Sequence, residues 1–199
     1  MVDMSTERRR LMVIVSSTRP SRVGHKIGAW IVGRAQAHSG FDIDLVDLVE
    51  LDLPFLDEPK HPRFADYSHD HTKDWSARVD LADAFVFVMA EYNHSFTAPI
   101  KNAVDFLSRE WAYKPVGYVG YGGVAGSTRA VQAIKPVCIA VRMVPLFDSV
   151  YIPWIAQQLD EDGAFISTEA LEASANVMFD ELLKVSEALR PLRRPAPTP

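Results

Sequence analysis

The segment LMVIVSSTRPSRVG, residues 11–24, decides the fold of this chain. Its first five residues, Leu11 to Val15, are apolar, and hydroxyl, basic and glycine residues follow at once. A short apolar run without polar alternation is typical of a strand that is covered on both faces. The next stretch, Val23 to His38, is predicted to be a helix, because Ile27 and Ile31 recur at helical spacing and Ser39-Gly40 offers a stop.

Further strands and helices are predicted from the same kinds of pattern. Phe41 to Leu48 alternates apolar and acidic residues, as a half-exposed edge strand does. The other strands are predicted at Ala84 to Met89, Pro115 to Tyr121 and Val144 to Ile152. The other helices are predicted at Asp70 to Asp83, Thr97 to Ser108, Ser127 to Val141 and Glu169 to Leu189. Pro136 is expected to end or kink its helix, and the proline-rich segment from Glu50 to Tyr67 is expected to be a long loop.

Strands that alternate with helices in this way predict an α/β domain with a parallel sheet and helices on both faces. We expect one domain over residues 11–190, flanked by disordered ends at residues 1–10 and at the proline-rich residues 191–199. In parallel sheets of this type, ligands bind beyond the carboxyl ends of the strands. A site is therefore expected in the loops after the first, third and fourth strands.

The composition excludes several classes of function. The formal net charge of the 199 residues is −5, which predicts no general attraction to nucleic acid or to an anionic membrane. No apolar run approaches about 20 residues, and the first ten residues lack the apolar core of a signal peptide, so a cytoplasmic protein without a membrane span is expected. The one cysteine, Cys138, lies in an apolar run and is predicted to be a buried, inert thiol.

The loop after the first strand, Ser16 to Gly28, has the parts of an anion site. It offers the hydroxyls of Ser17, Thr18 and Ser21, the charges of Arg19 and Arg22, and the unpaired amides of the helix that follows. Neither the phosphate-binding spacing G-x-x-x-x-G-K-[ST] nor the dinucleotide spacing G-x-G-x-x-G is present. The alternative is that the hydroxyls cap the helix and that the arginines are solvated.

The other two loops offer groups suited to a flat ring. Tyr92 could shield such a ring and the Asn93 amide could bond to its edge, although Asn, Ser and Thr are also routine in a helix-entry turn. In the last loop, Gly122, Gly123 and Gly126 permit a close backbone approach to a ligand.

The three loops carry a set of short motifs in a fixed order. They read Ser17-Thr18-Arg19-Pro20 with Arg22-Val23-Gly24, then Glu91-Tyr92-Asn93-His94-Ser95 with Lys101-Asn102-Ala103-Val104-Asp105-Phe106-Leu107, and finally Lys114-Pro115-Val116 with Tyr121-Gly122-Gly123 and Arg129-Ala130-Val131. In this order they resemble the NAD(P)H-dependent FMN reductase family, which includes quinone, azo-dye and chromate reductases. The resemblance spans Leu11 to Val141. Ser16, Ala90 and Gly120 depart from the pattern, since the family usually has glycine, proline and serine at these positions.

The resemblance implies a flavodoxin-like fold, with a five-stranded parallel sheet in the order 2-1-3-4-5. It also implies an FMN-dependent oxidoreductase that takes electrons from NADPH or NADH and passes them to a small acceptor such as a quinone, an azo compound, a metal oxyanion or free flavin. No catalytic side chain is predicted, because the chemistry takes place on flavin N5. A homodimer or homotetramer is expected. The predicted cofactor-binding residues are Ser17, Thr18, Arg19, Arg22, Val23, Gly24, Glu91, Tyr92, Asn93, Ser95, Tyr121, Gly122 and Gly123.

Two alternatives concern the function and the cofactor. One is a flavin-binding electron carrier or redox-sensing interaction protein, for which the acidic residues Asp42, Asp44, Asp47, Glu50 and Asp52 would form a docking face. The other is a zinc or copper site, although its spacing matches no strong motif and no metal ligand is predicted. The residues considered for that site are His61, Asp66, His69, Asp70, His71 and Asp74.

Two further points stay open at this stage. The aromatic residues Phe55, Phe64, Tyr67, Trp111 and Tyr113 are candidates either for a subunit interface or for packing in their own domain. Arg22 and Arg129 are the candidates for binding the 2′-phosphate of NADPH, and no preference between NADPH and NADH is predicted.

Overall fold

A parallel sheet of five strands forms the centre of the molecule. The computed structural model describes residues 8–193, and its strands lie in the order β2-β1-β3-β4-β5. All four strand pairs are parallel. The strands are β1 Arg9–Val15, β2 Phe41–Asp47, β3 Ala84–Ala90, β4 Pro115–Tyr121 and β5 Val144–Ile152. The predicted flavodoxin-like sheet is confirmed, including its order.

Helices cover both faces of this sheet. They are α1 Gly24–His38, α2 Leu48–Leu51, α3 Asp70–Asp80, α4 Ala98–Asp105, α5 Thr128–Ala140 and α6 Glu169–Leu189. Successive residues of β1 point to opposite faces, so that Val13 packs with α1 and α6 while Ile14 packs with α3, α4 and α5. Every residue of β3 is buried. The apolar runs of the sequence are therefore explained by burial on both faces.

Several predicted boundaries differ from those in the structure. Helix α4 ends at Asp105, not Ser108, because a 3-10 turn at Arg109–Trp111 folds back onto the core. Helix α3 ends at Asp80. Pro136 does not end its helix, which continues to Ala140. A proline removes one backbone hydrogen bond, and burial of side chains on either side of it offsets that loss.

The predicted long loop is partly helical. Helix α2 begins where the Asp47 carboxylate accepts a hydrogen bond from the Val49 amide at 3.0 Å, which is a side-chain N-cap. A 3-10 turn at Pro62–Phe64 follows, with a cap from the His61 ring. Local capping by polar side chains therefore orders a segment in which hydrophobic periodicity is weak.

The ordered domain extends beyond residues 11–190 at both ends. Strand β1 begins at Arg9, and a 3-10 turn at Arg190–Leu192 follows α6. The Arg193 guanidinium donates to the Asp83 carboxylate at 2.5 Å and to backbone carbonyls nearby. The prediction of disorder is wrong for residues 9–10 and 191–193, and residues 1–7 and 194–199 lie outside the described part of the chain.

Two predictions about buried groups have clear outcomes. Cys138 is buried as predicted, and burial raises the pKa of its thiol to about 11. Trp111 is not available for an interface, because it is fully buried and its indole N–H donates to the Val104 carbonyl at 3.1 Å. By contrast, Phe55 and Phe64 are largely exposed.

Within residues 8–193, no helix is both long enough and apolar enough to cross a membrane.

Candidate cofactor site

The three predicted loops converge at the carboxyl edge of the sheet. The Tyr121 hydroxyl donates to Ser17 Oγ at 2.8 Å, which joins the end of β4 to the loop after β1. The Thr97 hydroxyl donates to the Ser16 carbonyl at 2.8 Å, which joins the loop after β3 to the same segment. Had the three loops pointed apart, the predicted site would not exist.

A glycine is required where the first loop enters α1. A Cβ atom on Gly24 would lie 2.4 Å from Ser17 Oγ and 2.6 Å from Tyr121 Oη. Both side chains are buried, and burial raises the pKa of the Tyr121 hydroxyl to about 12, although its hydrogen bond to Ser17 lowers it. The hydroxyl pair thus stays neutral at physiological pH and holds Ser17 against the first turn of the helix.

The helices that follow the three loops have no side-chain caps. Val23, Thr97 and Ser127, at the N-caps of α1, α4 and α5, make no side-chain capping hydrogen bond. Of the other helices, α2 and α6 are capped by Asp47 and Thr168, and α3, after His69, also lacks a side-chain cap. The first amides of α1, which follow the loop after β1, are therefore not bonded by a capping side chain. Free amides of this kind are what an anion site requires.

The two arginines of the first loop have different partners. Arg22 Nη1 donates to both carboxylate oxygens of Asp47, at 2.7 and 2.9 Å, and so its charge is compensated within the protein. Arg19 is exposed, and its guanidinium carbon lies 6.0 Å from the centroid of the Tyr92 ring. Among the residues that the structure describes, no carboxylate forms an ion pair with Arg19. Arg19 is thus the cation of this loop that can receive an anionic ligand.

The second loop forms a tight turn at its tip. Tyr92 and Ser95 exchange two backbone hydrogen bonds of 3.0 Å, with Asn93 and His94 between them at φ values of 50° and 68°. This backbone conformation is uncommon for residues other than glycine, and asparagine adopts it most readily. The turn leaves Tyr92 and Asn93 exposed at the edge of the sheet.

Glu91 has an internal partner. Its carboxylate accepts a hydrogen bond from Arg129 Nε at 2.6 Å and another from the Arg129 amide at 3.2 Å. Burial alone would raise the pKa of Glu91, but the hydrogen bonds and charge of Arg129 outweigh it, and the pKa lies below its usual value. Glu91 therefore links the second loop to the start of α5, and Arg129 is not a free cation for a 2′-phosphate.

The glycines of the third loop pack against the segment after β5. The carbonyls of Gly122 and Gly123 accept hydrogen bonds from the amides of Ile155 and Trp154, both at 3.0 Å. A Cβ atom on Gly123 would meet nothing within 4 Å, so the space beside this turn is open. Trp154 is 53% exposed next to it and was not predicted as a site residue. Its position directly after β5, at the same edge of the sheet, was the available signal.

Two departures from the family pattern have different structural settings. At position 120 a Cβ atom would lie 2.8 Å from the Gly126 carbonyl oxygen, so glycine is required here in place of serine. Ser16, which replaces a glycine, has a buried hydroxyl without a hydrogen-bond partner in the described structure. Its carbonyl instead accepts the hydrogen bond from Thr97.

A cleft of about 490 Å³ adjoins the first loop. Thr18 is the one predicted cofactor-binding residue that contributes to its wall. The Asn102 amide donates to the Pro54 carbonyl at 2.7 Å, and its oxygen accepts from the Leu56 amide at 3.0 Å. This bracket holds the proline-rich segment against α4. The cleft is lined by Thr18, Leu48, Val49, Leu51, Asp52, Leu53, Pro54, Phe55, Ala98, Pro99, Asn102 and Ala103.

Most of the residues considered for a metal site have other partners. The His69 and His71 rings stack at 5.2 Å, and His71 bonds to Asp57 at 3.0 Å. Asp66 and Asp70 form ion pairs with Lys60 and Lys73. In the described part of the chain, no group of three or more His, Cys, Asp or Glu side chains is arranged to hold a metal ion.

Comparison with known proteins identifies the family. The family model described as NADPH-dependent FMN reductase matches residues 9–157. An NAD(P)H-dependent FMN reductase of Schizosaccharomyces pombe is 35% identical over 148 residues, which cover 72% of this chain and 74% of that protein. An FMN-dependent NADPH-azoreductase of Staphylococcus haemolyticus is 25% identical over 179 residues, covering 86% and 92%.

A solved structure supports the fold. FerB, a flavoenzyme NAD(P)H:(acceptor) oxidoreductase from Paracoccus denitrificans, superposes with a TM-score of 0.70 over 90% of this chain and 98% of that one. Its sequence identity is 24%, so this likeness concerns the fold alone. The family match covers well over half of the 199 residues, from β1 to the segment after β5. This chain belongs to the NADPH-dependent FMN reductase family.

Proposed function

We propose that this protein is an FMN-dependent oxidoreductase that passes electrons from NADPH or NADH to a small acceptor. The observation that carries the proposal is the convergence of three loops, each with a motif of the family, on one edge of the sheet. Hydrogen bonds between Tyr121 and Ser17 and between Thr97 and Ser16, both of 2.8 Å, link these loops. Ligands of open α/β sheets bind at this edge.

The first loop would hold the phosphate of FMN. Arg19 supplies an uncompensated charge, and the uncapped amides of α1 after Val23 supply backbone donors. The hydroxyl of Ser17 accepts from Tyr121, which leaves its own hydrogen for a phosphate oxygen. Thr18 is exposed at the same turn. Such a combination of amides and a guanidinium suits a dianionic phosphate group.

The second and third loops would hold the flat ring system. Tyr92 stands exposed beside Arg19, and the Asn93 amide and the Ser95 backbone lie in the same tight turn. Gly123 leaves open space for a ring to approach the backbone, and Gly122 precedes it in the same turn. Bound FMN would supply the electron transfer, since its N5 accepts hydride from a nicotinamide nucleotide. The roles proposed for this chain are binding and orientation, and no side chain is assigned as an acid, base or nucleophile.

The acceptor is proposed to be a small molecule, such as a quinone, an azo compound, a metal oxyanion or free flavin. One relative is named an azoreductase, and another is named an FMN reductase. Comparing steady-state rates with a panel of quinones, azo dyes and free FMN would identify the class. A rate that is largest with free flavin would exclude the first two as the main substrates.

We further propose that the protein is a cytoplasmic homodimer or homotetramer that binds neither nucleic acid nor membranes. The exposed side chains of Phe55 and Phe64 on the proline-rich segment are apolar surface that a second subunit would cover. Light scattering at micromolar concentration tests the assembly. A monomer that persists when the concentration is raised would refute it.

An electron carrier without turnover is the second candidate, but the structure weakens its main support. Three members of the acidic stretch form ion pairs within the protein: Asp42 with Arg8, Asp44 with Arg78, and Asp47 with Arg22. Less negative charge is therefore left for docking than the sequence indicates. Sustained NADPH consumption by the isolated protein with an acceptor present would exclude a pure carrier.

The decisive experiment is an absorbance spectrum followed by an NADPH titration. We expect purified protein, loaded with FMN and dialysed, to absorb in the blue and to bleach when NADPH is added without oxygen. Protein that stays colourless after loading would refute the assignment of the cofactor. Coloured protein that neither NADPH nor NADH bleaches would refute the reductase and leave the carrier.

A further inference from the structure

Arg22 and Asp47 form a half-buried ion pair at the base of the proposed phosphate loop. The side chain of Arg22 is 16% exposed and that of Asp47 is 11% exposed. Arg22 Nη1 donates to both oxygens of Asp47, at 2.7 and 2.9 Å, and more weakly to the Ser17 carbonyl at 3.4 Å. These contacts connect two ends of the loop to the end of a neighbouring strand.

Asp47 has a second task that fixes its own position. Its Oδ1 caps α2 through the Val49 amide at 3.0 Å. It is also the last residue of β2 and lies in register with Val15, the last residue of β1. Asp47 is therefore held by the sheet and by a helix, and it serves as a rigid anchor for a loop that has no regular structure of its own.

Resting on the proposed function, we infer that Arg22 is a positioning residue and not a ligand of the cofactor phosphate. Together with Asp47 it forms a clamp, which shapes the loop before any cofactor binds. Arg19 is the cation that faces the ligand. Arg19 and Arg22 lie three positions apart in one motif, and the sequence predicts both as cofactor-binding residues. The structure supports different roles for them.

The charges explain why Arg22 does not serve as the ligand. If its guanidinium turned towards a phosphate, Asp47 would lose its charged partner while still largely shielded from water. Leaving one half of such a pair uncompensated is strongly unfavourable. Within residues 8–193, Arg19 forms no ion pair with a carboxylate, so it can bind an anion without breaking an existing ion pair.

The test begins with protein that contains no flavin. Hydrogen exchange of the peptide covering residues 17–24 reports on the loop, where the Arg22 amide bonds to the Arg19 carbonyl at 2.9 Å. We expect exchange to be faster in Arg22→Met and Asp47→Asn, each by about tenfold, because a charged hydrogen bond is lost. The double variant should be no faster than either single one. Asparagine keeps an oxygen to cap α2, and circular dichroism verifies that each variant is folded.

Arg19→Gln is the matched control. It should leave exchange of the flavin-free loop unchanged, yet weaken the preference for FMN over riboflavin, which lacks the phosphate. Unchanged exchange in both Arg22→Met and Asp47→Asn would overturn the clamp, as would effects that simply add in the double variant. If wild-type protein binds no FMN, the proposed function fails, and the exchange comparison still decides whether the clamp exists.

Discussion

Replacing Gly24 with alanine tests the geometry at the centre of the proposed site. The added methyl group would lie 2.4 Å from Ser17 Oγ, 2.6 Å from Tyr121 Oη and 3.2 Å from Val15 Cγ1. The first two distances are far below van der Waals contact, so the buried hydrogen bond must break or the first turn of α1 must move. Overpacking of this kind costs about 1–3 kcal/mol.

Loss of the buried hydrogen bond adds about 1 kcal/mol, and the better helix propensity of alanine returns less than that. We therefore expect Gly24→Ala to lower the free energy of unfolding by about 2–3 kcal/mol. For a domain of this size, such a change lowers Tm by roughly 4–12 °C. Urea and thermal denaturation of flavin-free protein provide the measurement.

Gly33→Ala is the matched control, because Gly33 lies in the same helix and a Cβ atom there would meet nothing within 4 Å. It should stabilise the protein by about 0.5–1 kcal/mol. The further change Tyr121→Phe, which removes one of the two crowding oxygens, should recover part of the stability lost in Gly24→Ala. If Gly24→Ala proved as stable as Gly33→Ala and bound FMN as wild type does, the close approach of the three segments would be refuted.

Three further predictions concern Arg193, Lys114 and Trp154, none of which was predicted as a site residue. Arg193→Met should cost about 2 kcal/mol of unfolding free energy, because it leaves Asp83 without its charged partner, whereas Lys184→Met, which removes an exposed pair, should cost less than about 0.5 kcal/mol. Burial lowers the pKa of Lys114 to about 8, so between pH 8 and 10.5 the unfolded chain holds more protons and stability rises with pH. In urea titrations, the free energy of unfolding of the wild type should therefore rise by up to about 3 kcal/mol relative to that of Lys114→Met between pH 8 and 10.5. A difference between the two proteins that stays constant with pH would contradict the lowered pKa of Lys114. Saturating FMN should protect long-wavelength tryptophan emission from acrylamide, and Trp154→Phe should abolish that emission component. Emission that stays equally accessible with FMN bound would place Trp154 away from the ligand.

The sheet could be predicted from sequence because its central strands are buried on both faces. A short, continuous apolar run such as Ala84–Ala90 is typical of a strand that is buried on both faces. The bounds of β4, β5 and α6 were predicted correctly. Segments that depend on side-chain caps were predicted less well, since capping of α2 by Asp47 involves one hydrogen bond and no periodic pattern.

Long-range partners account for the rest of the differences. Trp111 lies among charged residues in the sequence, which leaves its packing open, and in the structure it packs against Phe85 with ring centroids 4.9 Å apart. Arg19 and Arg22 have the same side chain in one loop, and the residue that distinguishes them is 25 positions beyond Arg22. Only the strand order places Asp47 beside that loop, because β2 is the neighbour of β1.

The same pairing explains how an acidic protein could present the proposed anion site. The formal net charge is −5, and carboxylates stand at the ends of both β2 and β3. Each of them is bound by an arginine, Asp47 by Arg22 and Glu91 by Arg129, so neither carboxylate presents an uncompensated charge to a ligand. Helix amides and Arg19 then determine the local potential, over distances shorter than the screening length of about 8 Å at physiological salt. The proposed anion binding at this edge would therefore depend on which arginines are already paired, and much less on the total charge of the chain.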